Sequence, residues 1–167
     1  MSDHHRPSAY RLRKGRVSES GRIYLVTAVT RYRERVFEEF HPARIAARTF
    51  HDPAFAEEAA TLAFVVMPDH VHWLLQLSEQ GELSRTVQLY KAKVSATLCR
   101  KVWQRGFHDH ALRREEGLRA VARYMVANPL RAGLAERVGD YPFWDAAWLG
   151  EGRATYALSA EAVQVAR

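Results

Sequence analysis

The segment TLAFVVMPDHVHWLLQL, residues 61–77, decides the fold. Two apolar runs, rich in β-branched and aromatic residues, flank the pair Pro68-Asp69. Such residues suit a pleated, half-buried surface and Pro-Asp suits a tight turn, so the segment predicts a β-hairpin. Side chains along a strand alternate between faces. His70 and His72 therefore share one face with Leu74 and Gln76, while Val71, Trp73 and Leu75 take the other. A histidine pair in an apolar strand is either hydrogen-bonded core or part of a metal site. Two imidazoles do not complete a metal site, so the second reading needs a further ligand from elsewhere in the chain.

Outward from the hairpin, RIYLVTAVTRY (22–32) predicts an earlier strand. Pro42 opens a short helix through PARIAARTF (42–50), and Asp52-Pro53 interrupts it. A long helix is expected from Glu82 to Val102, because Leu83, Val87, Tyr90, Val94 and Leu98 recur at spacings of three or four. Cys99 falls inside that helix as a small buried or half-buried residue. WQRGFHDHAL (103–112) predicts a short fourth strand interrupted by Gly106, and a last helix runs from Arg114 to Ala127, stopped by Asn128-Pro129. The order β-α-β-β-α-β-α implies an α+β, ferredoxin-like or RRM-like sandwich: a mainly antiparallel sheet with helices on one face. Residues 1–20 then form a basic arm, 21–137 the domain and 138–167 a tail.

The 167 residues are 47% hydrophobic and 26% charged, an ordinary composition for one soluble domain. No run approaches the roughly 18 apolar residues of a membrane span. The N-terminus lacks the apolar core of a signal peptide. Cys99 is the only cysteine, which excludes an internal disulfide and a cysteine metal cluster. A cytoplasmic protein is expected. Lys and Arg number 25 against 19 acidic residues, a net charge of +6. The excess is clustered. Arg6, Arg11, Arg13, Lys14 and Arg16 crowd the first sixteen residues, and Arg85, Lys91, Lys93, Arg100, Lys101 and Arg105 follow the histidine pair. A solvated basic surface would account for the count alone. Clustering, with Tyr10 and Tyr90 interleaved, points instead to nucleic acid, where rings stack on unpaired bases.

In LRAVARYMVANPLRAGL (118–134), Leu118, Val121, Ala122 and Met125 form one apolar stripe. Tyr124 and Asn128, four apart, stack at its edge. From there Asn128 has a carbonyl oxygen to offer an ion held by His70 and His72, with the Tyr124 phenol beside it. A phenol with an ordinary pKa of about 10 is a weak nucleophile at neutral pH. It attacks a phosphoryl group that a divalent ion has polarised and oriented. The mixed nitrogen and oxygen donors suit Mg²⁺ or Mn²⁺. The bland alternative is a packing or surface tyrosine whose spacing from Asn128 arose by chance.

The same residues carry a family resemblance. VVMPDHVHWLL (65–75) resembles the His-hydrophobic-His motif of single-tyrosine HUH transposases. VWQRGFHDHALR (102–113) and YMVANPLRAGL (124–134) resemble the blocks that follow it in REP-associated tyrosine transposases, which act on single-stranded DNA. The resemblance covers about residues 22–141. It implies that His70, His72 and Asn128 bind Mg²⁺ or Mn²⁺, and that Tyr124 attacks a DNA phosphate to leave a 5′-phosphotyrosine and a free 3′-hydroxyl. It gives His110 a supporting role near the site. His108 and Asp109 face opposite ways in a strand, which argues against a catalytic dyad. The family's usual tail reads YPWSS, whereas this chain has YPFWDAAWL (141–149), so tail contacts and target preference are open.

These readings imply a metal-dependent nickase and strand transferase for single-stranded DNA beside a hairpin of the repetitive extragenic palindrome type. Arg11, Arg13, Lys14 and Arg16, with Arg85, Lys91, Lys93, Arg100 and Lys101, are the expected phosphate contacts. The expected protein is nucleoid-associated, a monomer or homodimer, and without a membrane partner. The rival readings are a hairpin-binding module that does not cut, and an RNA-binding domain. The third strand lacks the glycine-aromatic pattern an RRM would show.

Overall fold

The computed structural model describes residues 19–113 and 117–150. The turn at Pro68-Asp69 joins β2 (Ala59–Met67) to β3 (His70–Leu77) as an antiparallel pair, from Met67 opposite His70 to Ala59 opposite Leu77, with a register shift between Thr61 and Ala63. β1 (Ile23–Val29) pairs with the other side of β3. β4 (His108–Ala111) lies outside β1, and β5 (Trp144–Ala146) lies outside β2. All neighbours are antiparallel, in the order β4-β1-β3-β2-β5. With α1 (Phe40–Thr49), α2 (Leu83–Thr97) and α3 (Leu118–Val126), the chain follows the expected β-α-β-β-α-β-α order. β5 adds to it. Its residues fall in the segment read from sequence as a tail, yet they are fastened down: the Tyr141 hydroxyl donates to the Val66 carbonyl at 2.6 Å and the Trp144 indole to the Val138 carbonyl at 2.9 Å.

Helices cover both faces, not one. On the first face, Tyr24, Val26, Val71, Trp73 and Leu75 pack with Ala43 and Ala46 of α1 and Val87, Tyr90 and Val94 of α2. On the second, Val65, Met67 and Leu74 pack with Leu118, Ala122 and Met125 of α3. The physical reason lies in β2, whose last six residues are all buried. A strand apolar on both sides needs cover on both sides.

Two further readings change. Tyr90 is buried in the first core, its ring stacked 4.2 Å from that of Phe50 and its hydroxyl bonded to the Ala46 carbonyl at 3.2 Å. It is not available to a base. The second helix ends at Thr97, and Cys99 is an exposed residue beyond it with φ +51°. There the Cys99 N–H donates to the Ala96 carbonyl and the Arg100 N–H to the Ser95 carbonyl, both at 3.1 Å, which is a Schellman closure with cysteine where glycine is favoured. Relieving the left-handed strain with Cys99→Gly should raise stability by about 0.5–1 kcal/mol. Urea unfolding checks this, and an unchanged midpoint would show that the turn carries no strain.

Candidate metal centre and the helix beside it

β3 turns His70 and His72 toward the face that α3 covers. His72 lies between Thr27 of β1 and Val65 of β2, and His70 between Val29 and Met67. Each imidazole is held at Nδ1. His70 Nδ1 stands 2.6 Å from Asp69 Oδ1, and His72 Nδ1 stands 2.8 Å from Thr27 Oγ1. Burial alone would raise the Asp69 pKa, but hydrogen bonds from His70 and Arg33 outweigh it and the net shift is downward. An ionised carboxylate only accepts, so His70 carries a proton on Nδ1, and Nε2 is the nitrogen it turns toward His72.

The two Nε2 atoms converge to 3.2 Å, with the rings at 82° to each other. Two donors about 2.1 Å from one ion, subtending about 90–110°, stand about 3.0–3.4 Å apart. The pair fits a shared ion, with the outer nitrogens fastened as metal-binding histidines require. Among the described residues no group of three or more His, Cys, Asp or Glu is placed to hold a metal. Completing such a site falls to an amide oxygen, water or substrate.

Burial, then the nearby charges of His70 and Arg131, lowers the His72 pKa to about 4. His72 is thus neutral at pH 7. Unfolded, it titrates near its ordinary value of about 6.5. Between those two values the unfolded chain binds more protons, so stability of the metal-free protein should fall as pH drops from 6.5 toward 4, by on the order of 3 kcal/mol. Urea unfolding in EDTA across that range measures the slope. His72→Asn should flatten it, and an equally steep slope in that variant would assign the effect elsewhere.

Against β2, α3 buries Leu118, Ala122 and Met125 and leaves Tyr124 68% exposed. α3 ends at Val126, just before Asn128-Pro129 as expected, but the chain then makes one more helical turn. Proline is tolerated in a first helical turn, and here it opens α4 (Asn128–Arg131). That extra turn brings in a residue the sequence reading missed. The Arg131 guanidinium lies 4.0 Å from the Tyr124 ring centroid, and donates to the Tyr124 carbonyl at 2.7 Å and to Asn128 Oδ1 at 2.5 Å. Asn128 Nδ2 donates to the Met125 carbonyl at 2.8 Å, which leaves the amide oxygen to accept from Arg131. That oxygen therefore already faces a cation and has a second lone pair. Positions 124, 128 and 131, spaced four and three, were the available signal.

On β4, His108 pairs with Thr27 and His110 with Leu25, so both lie on the His72 face while Asp109 lies on the other. His108, not His110, shares the row of His72.

The expected phosphate contacts divide. Arg11, Arg13, Lys14 and Arg16 lie outside the described residues. Arg85 pairs with Glu58 at 3.1 Å, Lys93 with Asp52 at 2.7 Å and Arg100 with Glu34 at 2.8 Å, so their charges are locally balanced. Lys91 donates to the Gln104 and Gly106 carbonyls at 2.7 and 2.8 Å. Lys101 lines a groove with Arg31 and Arg105. Among the described residues no helix is long and apolar enough to cross a membrane.

The chain is similar to several known proteins. A REP-associated tyrosine transposase of Escherichia coli K12 is 32% identical over 83 residues, 48% of this chain and 50% of that protein. A relative from Haemophilus influenzae is 29% identical over 99 residues, 50% of this chain and 56% of its own. The chain thus spans about half the length of the curated relatives it matches. A solved structure described as "Structure of the REP associates tyrosine transposase bound to a REP hairpin" superposes with a TM-score of 0.64 at 23% identity, over 78% of this chain and 79% of that one, and so shares the fold. The family described as "Transposase IS200 like" matches residues 19–124. By that match the chain belongs to the IS200-like transposase family.

Proposed function

We propose that this protein is a divalent-metal-dependent nickase and strand transferase for single-stranded DNA beside a folded hairpin. The observation that carries the reading is the convergence of His70 and His72 Nε2 at 3.2 Å, each ring fastened at Nδ1, on the sheet face where α3 carries Tyr124. Family membership supports the DNA chemistry, and the relatives named for REP sequences support the hairpin.

His70, His72 and Asn128 Oδ1 would hold Mg²⁺ or Mn²⁺. When bound, such an ion polarises a phosphoryl oxygen and orients the phosphorus for in-line attack. Tyr124 Oη then forms a bond to phosphorus and releases its proton. The bond to the 3′ oxygen breaks, and that oxygen leaves with the electron pair and takes up a proton as a 3′-hydroxyl. Attack by a 3′-hydroxyl on the phosphotyrosine reverses the sequence and rejoins strands without ATP. Arg131, packed on the ring and bonded to both the Tyr124 carbonyl and Asn128, holds nucleophile and amide ligand in fixed relation.

Incubation with hairpin oligonucleotides carrying single-stranded flanks, with Mn²⁺ or EDTA, tests this. The expected result is a protein–DNA adduct with Mn²⁺ only, located by denaturing gel and mass spectrometry. Tight hairpin binding with no adduct in any divalent ion would overturn the nickase reading in favour of a recognition module.

A further inference from the structure

The groove that takes in Lys101 has a volume of about 720 Å³ and lies where α2, the loop leading to β4 and the turn after β1 meet. Arg31, Lys91, Lys101 and Arg105 line it with the rings of Tyr32 and Trp103, and no carboxylate does among the described residues. Trp103 forms a wall, its indole donating to the Lys91 carbonyl at 3.1 Å. Tyr32 is 79% exposed. It is also contorted: Tyr32 and Arg33 have φ of +55° and +54°, two successive non-glycine residues in the left-handed region. Such strain persists only where the surroundings hold it in place. Here they do. The Thr30 N–H and hydroxyl both donate to the Asp69 carbonyl at 2.9 Å, the Arg31 N–H donates to Val102 at 2.8 Å, and the Arg33 guanidinium meets Asp69 Oδ2 at 3.0 Å.

What the contortion achieves is to hold an aromatic ring out in solvent beside a basic groove. The Arg31 guanidinium sits 4.8 Å from the Tyr32 ring centroid and donates to its hydroxyl at 3.1 Å, so one face and the edge of the ring are fixed. Cations beside an exposed ring are the pairing that grips an unstacked nucleotide, the charges on phosphate and the ring on the base. A duplex hides its base faces and would leave the ring unused. The groove is also tied to the histidine pair, because Asp69 accepts from Arg33 with one oxygen and fixes His70 with the other.

We propose that this groove seats an unpaired nucleotide of the strand flanking the cleaved phosphate, its base on Tyr32 and its phosphates on Lys101 and Arg105. The proposal rests on the reading of the substrate as single-stranded DNA beside a hairpin. Fluorescence anisotropy in EDTA, where no cleavage occurs, tests it with two probes: a hairpin with single-stranded flanks and the same hairpin blunt-ended. Tyr32→Ala should weaken binding of the flanked probe about ten-fold and leave the blunt probe unchanged, and Tyr32→Trp should restore it. Lys101→Ala/Arg105→Ala, at two exposed positions, should lower the log–log salt slope for the flanked probe by about 1.4. Unchanged affinity and slope, or equal losses on both probes, would overturn the groove assignment. Because these readouts need no metal and no adduct, absence of a Tyr124 adduct would sink the nickase reading and leave this one standing. An adduct without flank dependence would do the reverse.

Discussion

Tyr124→Phe should abolish the DNA adduct while leaving hairpin affinity nearly intact. The substitution removes one oxygen from a side chain that is 68% exposed, so no buried polar group is stranded and folding is undisturbed. The ring remains, and with it the packing of Arg131 at 4.0 Å. Arg131 also keeps its bonds to the Tyr124 carbonyl and Asn128, since neither involves the phenol oxygen. Only the nucleophile is lost. Loss of an attacking group typically costs about 10³-fold or more in rate, and no covalent species can form on phenylalanine. Time courses of adduct formation in Mn²⁺, beside anisotropy with the same hairpin, separate the two effects. An adduct that persists in this variant would move the covalent bond to another residue. Alanine would be a poorer probe, because deleting the ring would also free Arg131.

Trp73→Ala should cost about 3–5 kcal/mol of folding stability, the usual range for removing a large ring from a close-packed core. Trp73 is 1% exposed. Its ring centroid lies 5.2 Å from Phe50, 5.5 Å from Tyr90 and 5.6 Å from Phe55, so it touches the aromatic residues that join α1 and α2 to the sheet. Its indole also donates to Thr61 Oγ1 at 3.1 Å. Domains are typically stable by only about 5–15 kcal/mol, so the variant should be marginal at room temperature. Urea unfolding gives the value. A cost below about 1 kcal/mol would mean that the cavity collapses or that the ring does not anchor this core.

The sheet was legible because a two-residue period with a Pro-Asp break has few alternative meanings. His70, Val71, His72 and Trp73 alternate as written, and the polar pair faces away from the indole. The second helical layer was harder to see. Burial of β2 on both sides is a property of the packed sheet, and a run such as AFVVM is equally consistent with one covered face and one turn of chain beyond it. Tyr90 shows the same limit from the other direction. It sits in a helix whose basic residues suggest a surface, yet its own angular position points it at Phe50. Arg131 was missed because a cation's partners depend on where the chain goes after proline. Reading Asn128-Pro129 as a stop removed the turn that brings the guanidinium back over Tyr124. Tyr32 escaped notice for a related reason, since two left-handed residues without glycine leave no compositional trace.

β5 is only three residues long, but its position has a protective consequence. β2 is the most apolar strand of the sheet, and without cover its outer edge would present unpaired N–H and C=O groups along a continuous hydrophobic ribbon. Such an edge is a template for a second copy of the same chain. β5 occupies Ala63 to Val65, and beyond it the Phe143 carbonyl and Tyr141 hydroxyl take up the N–H and C=O of Val66. Residues 141–146 thus guard this stretch against edge-to-edge aggregation. The sheet that carries the histidine pair is thereby closed to other sheets along Ala63 to Val66 of β2.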